Sequence, residues 1–242
     1  MTAQFQPLLA EATSARSMRT KRLMDIVISA TGMVFLLPLF AIIAVAIRLE
    51  DGGPVLYRQL RVGRGGRLFK IEKFRSMCSA QVGGSNLTVE GDPRVTRVGA
   101  ILRRTKLDEL PQLLNVLRGE MSLIGPRPET PDLMAHYTPP QRALMLSVPP
   151  GMSDYASVLL SDESALLAMA PDPVAFYRER LMPLKFELCA RYVREVGLLT
   201  DLRLILATLW GVFGPAGRNP FLDRAHSSRI ESLLGARHNN AA

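Results

Sequence analysis

The stretch Ile26–Ile47, which reads IVISATGMVFLLPLFAIIAVAI, decides the fold because it runs for 22 residues without a charge. At about 1.5 Å per residue, a helix of this length spans the roughly 30 Å hydrocarbon core of a bilayer. The run is too long for a secretory signal peptide, and no small-residue cleavage site follows it. We therefore predict a membrane helix that is retained in the protein.

Two features of the apolar run bear on its topology. Pro38 lies mid-run, where a proline removes one backbone hydrogen bond and bends a helix. Basic residues flank both ends, and basic flanks favour the cytoplasmic side of a membrane. A helix–break–helix hairpin that enters one leaflet satisfies this rule at both ends, whereas a single span with a tolerated proline satisfies it at one. From these residues alone both topologies stay open. The flanking basic residues are Arg16, Arg19, Lys21, Arg22, Arg48, Arg58, Arg61 and Arg64.

The overall composition indicates a basic protein that meets an anionic surface or substrate. Over 242 residues the formal net charge is +8 and the pI is near 10.0, yet mean hydropathy is slightly positive at +0.12. Nucleic acid is the rival partner for such charge. The cysteines Cys78 and Cys189 lie far apart and the histidines are scattered, so neither a disulfide framework nor a zinc site is indicated. Magnesium stays open, because it needs only carboxylates and phosphates.

The chain divides into four segments. We predict a mobile N-terminal tail over 1–18, the membrane element over 19–50, a catalytic domain over 51–213 and a C-terminal tail over 214–242. Within the domain, Val55–Val62 and Leu68–Met77 are predicted strands around a glycine turn, and their many basic residues also suit a solvated hairpin edge. A loop is predicted over Ser79–Glu90.

The segment Gly99–Leu117 is predicted to be helical with a break near Lys106–Leu107. The leucines after the break recur every three or four residues and form one apolar face. Pro111 is tolerated only in a first turn, so this helix is expected to begin near Asp108. A rigid Gly125–Glu129 loop (GPRPE) follows, and the prolines from Pro139 to Pro150 predict an irregular region.

Two further helices are predicted, at about Pro173–Val196 and Leu199–Phe213. The second is mostly apolar with few charges, so it suits either the core or an amphipathic position at a membrane interface. Together these elements predict a mostly helical α+β protein.

The adjacent carboxylates of Asp108 and Glu109 are the candidate chemistry. Neighbouring side chains on a helix point about 100° apart, so the two acids can take separate roles around one substrate. At a helix start, Asp108 faces free N–H groups and the positive end of the dipole, which favour its ionised form and a bound phosphate. Arg103 and Arg104, just upstream, are suited to phosphate oxygens. A purely structural alternative stays open, in which Asp108 caps the helix and the arginines form a solvent-exposed face.

Three blocks of the sequence resemble the small monotopic phosphoglycosyl transferases, the bacterial sugar transferases that start polysaccharide and glycan assembly. The first block is Lys21-Arg22 with Asp25 and the proline-broken apolar run. The second is GGPVLYRQLRVGRGGRLFKIEKFRSM, Gly52–Met77. The third and most specific is DPRVTRVGAILRRTKLDELPQLLNVLRGEMSLIGPRPE, Asp92–Glu129.

The resemblance implies a bacterial inner-membrane enzyme with a re-entrant membrane helix hairpin, a small cytoplasmic catalytic domain and amphipathic interfacial helices. Such enzymes move a sugar 1-phosphate from a UDP-sugar to a polyprenyl (undecaprenyl) phosphate and release UMP, using Mg²⁺. The implied partners are therefore the UDP-sugar, the polyprenyl phosphate and membrane lipid, without nucleic acid. A homo-oligomer is compatible with the sequence.

The resemblance also assigns roles to individual residues. Asp108 would be the nucleophile of a covalent phosphosugar intermediate, and Glu109 would assist through magnesium or proton handling, so both are candidate metal ligands. The remaining assignments are Arg103, Arg104, Lys73 and Arg75 at phosphates, Pro126, Arg127 and Pro128 at the nucleotide, Pro38 at the helix break, and Lys21, Arg22 and Asp25 as membrane-interface anchors.

Three departures from the family pattern fall where sugar or acceptor selectivity, or the membrane bend, would be set. Leu37 replaces a serine before Pro38, Pro150–Ser164 replaces a GxTGWAQVxGR stretch, and Cys189 replaces an aspartate. The sugar is therefore not carried over. A membrane-tethered binding module for anionic lipid or nucleic acid is the alternative function, although the basic clusters contain few aromatics and no nucleic-acid motif.

Overall fold

A computed structural model describes residues 15–78, 91–160, 163–214 and 219–222. The predicted loop Ser79–Glu90 lies outside the described residues, as does most of both predicted tails. The described part of the N-terminal tail, from Ala15, already belongs to the first helix.

The first helix, α1 (Ala15–Asp51), is 37 residues long and holds the apolar run. The most apolar 18-residue window within Met18–Asp51 has a mean hydropathy of 2.5, and 11% of that window is buried, unlike the core helix of a soluble protein. It is the one helix in the described residues that is long and apolar enough to cross a membrane. Pro38 lies inside this helix without interrupting it, so the helix–break–helix prediction is not confirmed.

One stripe of α1 lies against the rest of the protein from Lys21 to Ile47. Lys21, Asp25 and Ser29 are buried near the N-terminal end, and Ile43 and Ile47 are buried near the C-terminal end. Partly buried apolar residues continue the stripe between them, at Met33, Leu36, Leu39 and Phe40. The opposite face is apolar and exposed, as at Phe35, which is 78% exposed.

The predicted hairpin is confirmed as two antiparallel strands, β1 (Leu56–Val62) and β2 (Leu68–Phe74). A short 3-10 turn, Arg64–Gly66, joins them. Its two glycines have φ values of 65° and 81°, a left-handed conformation that costs glycine little. The inner face of β2 places Phe69 and Ile71 in the core.

The helical segment after the hairpin breaks where the sequence predicts. Helix α2 (Arg97–Arg104) is capped by Thr96, whose hydroxyl accepts a hydrogen bond from the Gly99 N–H. Lys106 then takes a left-handed conformation with φ 58°, and a 3-10 helix, Leu107–Gln112, begins. Helix α3 (Leu113–Arg118) continues from it and ends at Gly119, whose φ is 81°. Pro111 thus lies before the α-helical hydrogen bonds begin.

The region after Ile124 is more regular than the sequence predicts. Strands β3 (Ser122–Ile124) and β4 (Gly151–Ser153) form a short parallel pair. Between and after them lie helices α4 (Pro131–Ala135), α5 (Pro139–Met145), α6 (Tyr155–Leu159) and α7 (Glu163–Ala168). The prediction of irregular structure over Pro139–Pro150 is wrong for α5, because Thr138 forms a capping box and the two prolines occupy the first turn.

The C-terminal part is helical as predicted. Helix α8 (Pro173–Phe176) passes through a π-helical turn, Tyr177–Leu181, into α9 (Met182–Glu195), and α10 (Leu198–Phe213) follows. Helix α10 buries only one face, through Asp201, Leu204 and Ala207. Leu199 and Phe213, on its other faces, are 82% and 80% exposed. The core interpretation of this helix therefore holds for one face alone.

Candidate active site

Asp108 and Glu109 lie in the first turn of the 3-10 helix, directly after the left-handed Lys106. A non-glycine residue in this conformation is uncommon and marks a backbone held by its surroundings. The hydrogen bond from the Glu109 N–H to the Lys106 carbonyl closes this turn. Strand β2 packs against this 3-10 helix, and the Glu109 carboxylate meets Lys73 on that strand.

Glu109 joins two cations from distant parts of the chain. Lys73 Nζ on β2 lies 2.7 Å from Glu109 Oε1, and the Arg127 guanidinium lies 2.6 Å from the same oxygen. Neither contact follows from sequence spacing, because the partners are 36 and 18 residues away. The structure thus brings together three residues that the resemblance assigned to the site.

The pKa of Glu109 shows what this carboxylate can do. Burial alone raises the pKa of Glu109, but Arg127 and Lys73 outweigh it and hold this pKa well below its ordinary value. Glu109 is therefore an anion across the neutral range and carries no proton there. Its geometry suits holding Lys73 and Arg127 in place, rather than the proton handling that the resemblance allowed.

Asp108 is 9% exposed, and in the described part of the chain no hydrogen bond or ion pair joins its carboxylate to another group. Burial raises the pKa of Asp108, with Glu109 adding to the rise, while Lys73, Arg103 and Lys106 oppose it. The prediction that the helix start holds Asp108 ionised is therefore too simple. Burial removes water from the carboxylate, and this raises its pKa by more than the nearby positive charges lower it. A desolvated carboxylate without a partner is reactive once ionised.

The other predicted phosphate ligands divide into near and distant ones. Arg103 is half-buried, and its charge lowers the pKa of Asp108, so it lies within electrostatic reach of that carboxylate. Arg104 is exposed at the end of α2. Arg75 is buried and binds both carboxylate oxygens of Asp51 and the Pro54 carbonyl. Among the described residues, no contact joins Arg75 to Asp108 or Glu109; it holds the end of α1 to the hairpin.

The Pro126–Pro128 loop presents Arg127 to Glu109 and is fixed by main-chain contacts. The Gly151 N–H donates to the Pro126 carbonyl at 2.9 Å, and the Arg127 N–H donates to Asp154 Oδ2 at 3.3 Å. Sequence reasoning did not single out Asp154, which is 5% exposed and also caps α6 through the Ser157 N–H. The Asp-x-x-Ser spacing before a short apolar run is the signal that marks it.

The first resemblance block is buried against the domain. Lys21 pairs with Asp201 at 2.6 Å, and Asp25 accepts hydrogen bonds from the Ser122 hydroxyl and the Leu123 N–H. Arg22 donates to the carbonyls of Val116 and Leu117 at the end of α3. These side chains join α1 to the catalytic domain, and their role as membrane-interface anchors stays a prediction.

The donor set suits magnesium only together with a substrate. No cluster of three or more His, Cys, Asp or Glu side chains that would hold a metal occurs in the described ranges. Asp108 and Glu109 nevertheless supply two adjacent carboxylates, and Glu109 Oε2 takes neither of the cations that bind Oε1. Magnesium commonly takes one or two carboxylates and completes its shell with waters and phosphates, so these residues fit it.

Among the described residues, a buried carboxylate without a partner lies next to fixed cations, on a domain packed against an exposed apolar helix, and this arrangement suits phosphate transfer at a membrane. Comparison with known proteins makes the class specific. Residues 16–215 match the model of the bacterial sugar transferase family. The chain therefore belongs to the bacterial sugar transferase family, and it is a phosphoglycosyl transferase, as the sequence predicted.

Three curated relatives show the range of similarity. A putative undecaprenyl-phosphate N-acetylgalactosaminyl 1-phosphate transferase of Bacillus subtilis is 52% identical over 51% of this chain and 69% of its own length. A UDP-glucose:undecaprenyl-phosphate glucose-1-phosphate transferase of Caulobacter vibrioides is 38% identical over 78% of this chain and 68% of its own. The enzyme of the same name from Escherichia coli is 35% identical over 86% of this chain, which spans 43% of that longer protein.

Proposed function

We propose that this protein transfers a sugar 1-phosphate from a UDP-sugar to undecaprenyl phosphate, releases UMP, and so starts the assembly of an exopolysaccharide or other glycan. The observation that carries the proposal is that Asp108, a buried carboxylate with no hydrogen-bond or ion-pair partner among the described residues, adjoins the Lys73–Glu109–Arg127 group. The names of the relatives support both substrates, since they specify UDP-glucose as donor and undecaprenyl phosphate as acceptor.

The transfer is proposed to take two steps through Asp108. In the first, an Asp108 carboxylate oxygen bonds to the phosphorus that carries the sugar. The bond from that phosphorus to the bridging oxygen breaks, and its electron pair leaves on UMP. In the second, a phosphate oxygen of undecaprenyl phosphate attacks the same phosphorus. The aspartyl–phosphorus bond then breaks, which restores the Asp108 carboxylate and splits one difficult transfer into two.

The neighbouring charges address the main obstacle, which is that a carboxylate and a pyrophosphate are both anions. Lys73 and Arg127, which Glu109 holds in place, supply positive charge at the point where the two anions approach. The charge of Arg103 also acts on Asp108. Neither step needs a general base, because both nucleophiles act as anions: a phosphate monoester loses its second proton near pH 6. This agrees with the low pKa of Glu109, which leaves that residue unable to accept a proton.

Magnesium is proposed as the cofactor, held by Asp108 and Glu109 together with phosphate oxygens of the donor. When bound, it supplies further positive charge to those oxygens during transfer.

Both ends of α1 are proposed to face the cytoplasm, with the apolar middle of the helix in the inner membrane and a bend at Pro38. Support comes from the buried stripe. Lys21 contacts β3 and α10, while Ile47 packs into the cluster of Phe74 and Leu102, so both ends meet the same domain. A straight span would place these contacts on opposite membrane faces. The exposed apolar face of α10, which begins beside Lys21, suits an interfacial position.

The deciding experiment measures UMP release from a panel of UDP-sugars by the detergent-purified protein, with undecaprenyl phosphate and with or without magnesium. Wild type is expected to release UMP and, without acceptor, to gain the mass of one sugar phosphate on the intact protein. Asp108→Asn should lose both signals, whereas Asp132→Asn, a change at an exposed acid of α4, should keep them. Substantial turnover by Asp108→Asn would exclude Asp108 as the nucleophile.

A further inference from the structure

A buried ring of hydrogen bonds lies at the base of the loop that carries Arg127. Lys21 Nζ, from α1, donates to the Ile124 carbonyl at 2.8 Å and to Asp201 Oδ2 at 2.6 Å. The Tyr192 hydroxyl, from α9, lies 3.0 Å from the same carbonyl and 2.8 Å from Asp201 Oδ1. Asp201 therefore fixes two donors, and both donors meet at one backbone oxygen.

This ring is closed to solvent, and its tyrosine keeps its proton. Lys21 is 2% exposed, while Tyr192 and Asp201 are completely buried. Burial and the Asp201 carboxylate raise the pKa of Tyr192 well above its ordinary value, so the hydroxyl keeps the proton that it shares between its two acceptors. Asp25 adds a second tie one helical turn further along α1, by accepting from Ser122 and Leu123 on β3.

The Ile124 carbonyl is well placed to control the site. It ends β3, and Arg127 follows three residues later, a reach of at most about 10 Å along the chain. Arg127 in turn lies 2.6 Å from Glu109, next to Asp108. On one side of this loop, Gly151 and Asp154 form hydrogen bonds with the main chain of Pro126 and Arg127. On the other side, toward α1, the loop is attached through the hydrogen bonds of the ring to the Ile124 carbonyl.

We infer that Lys21, Tyr192 and Asp201 are positioning residues, which hold the Ile124 carbonyl and thereby keep Arg127 on Glu109. The membrane helix then forms part of the framework of the active site, in addition to attaching the domain to the bilayer. None of the three touches a substrate in this role. This inference rests on the proposed function, because its readout is the transfer reaction.

The test is a kinetic mutant cycle between Tyr192 and Arg127. Tyr192→Phe removes one hydroxyl and leaves Lys21 on the Ile124 carbonyl, so the protein is expected to fold. Misplacing Arg127 is expected to lower kcat/KM for the UDP-sugar about 10-fold. In the Arg127→Gln background the same substitution should change kcat/KM less than about 2-fold, because the group that the ring positions is gone. The cycle is repeated on UMP affinity by calorimetry, which needs no turnover.

The matched control is Tyr155→Phe, which removes another buried tyrosine hydroxyl bonded to a carboxylate, that of Glu195 at 2.7 Å. Its effect should be the same factor with and without Arg127. Equal factors for Tyr192→Phe in the two backgrounds, or no effect in the wild-type background, would overturn the inference. If wild type itself releases no UMP, the proposed function fails instead, and the two failures are thereby distinguished.

Discussion

Replacing Lys21 with methionine should destabilise the protein strongly, because it leaves a carboxylate buried without its cation. The Lys21 and Asp201 side chains are 2% and 0% exposed and lie 2.6 Å apart. Removing one partner of such a pair costs about 3–5 kcal/mol. Asp201 keeps its hydrogen bond from Tyr192, so we expect the lower end, about 3 kcal/mol. In a protein of this size, this corresponds to a fall of roughly 6–12 °C in thermal midpoint.

The same substitution should make stability depend on pH. Burial already raises the folded-state pKa of Asp201, and Lys21 is the main group that opposes the rise. Without Lys21 this pKa rises further, and an acid with a raised folded pKa destabilises the fold while it is ionised. The loss should therefore be largest at neutral and alkaline pH and should shrink as pH falls through the pKa of Asp201.

The assay is thermal unfolding in one detergent, followed by circular dichroism from pH 5 to pH 8. Lys185→Met is the matched control, because the Lys185–Glu163 pair at 2.9 Å is more exposed and should cost about 1 kcal/mol or less. Equal midpoint shifts for the two variants, or a Lys21→Met loss that does not change with pH, would refute the reasoning.

Three further predictions concern the active site. Glu109→Gln should lower kcat about 100-fold in the UMP assay, because Lys73 and Arg127 lose their shared anion, and it should lower the thermal midpoint less than Lys21→Met does, because Glu109 and Arg127 are 18% and 38% exposed; wild-type kcat would show that these cations need no anchor. The acid limb of kcat/KM should lie above 3.8, the ordinary pKa of an aspartate, because burial raises the pKa of Asp108, which attacks only when ionised; a profile flat down to that pH would contradict this. Arg75→Gln and Asp51→Asn should lower the thermal midpoint alike and leave KM for the donor unchanged, because the two residues bind each other; a raised KM in the arginine variant alone would instead place Arg75 at the substrate.

Local sequence signals predicted the elements around the carboxylates well. The position of Pro111 required a helix start near Asp108, and the structure begins a 3-10 helix at Leu107. The hairpin followed from strand-forming residues on both sides of a glycine turn, and the break before Leu107 followed from the shift in apolar pattern. Each of these depends on neighbours within a few residues, which a single sequence displays.

Long-range contacts were not predictable in the same way. The convergence of Lys73 and Arg127 on Glu109 depends on how β2 packs against the 3-10 helix, and the Lys21–Asp201 pair joins residues 180 apart. The pairing of β3 with β4 involves strands of three residues, too short for an alternating pattern. The Arg75–Asp51 pair was also not predictable from the sequence. The hairpin contains many basic residues, and no local pattern distinguishes the one that binds Asp51 from those that could bind phosphate.

The buried stripe of α1 has a consequence for how the enzyme meets its lipid substrate. The stripe binds the domain at both ends, near β3 through Lys21 and near α2 through Ile47. Leu107, the residue before the reacting carboxylate, packs against the cluster that contains Ile47, so Asp108 is held in position relative to the helix. With α1 in the bilayer as proposed, Asp108 works at one fixed depth below the head groups, and the acceptor phosphate must come to that level to react.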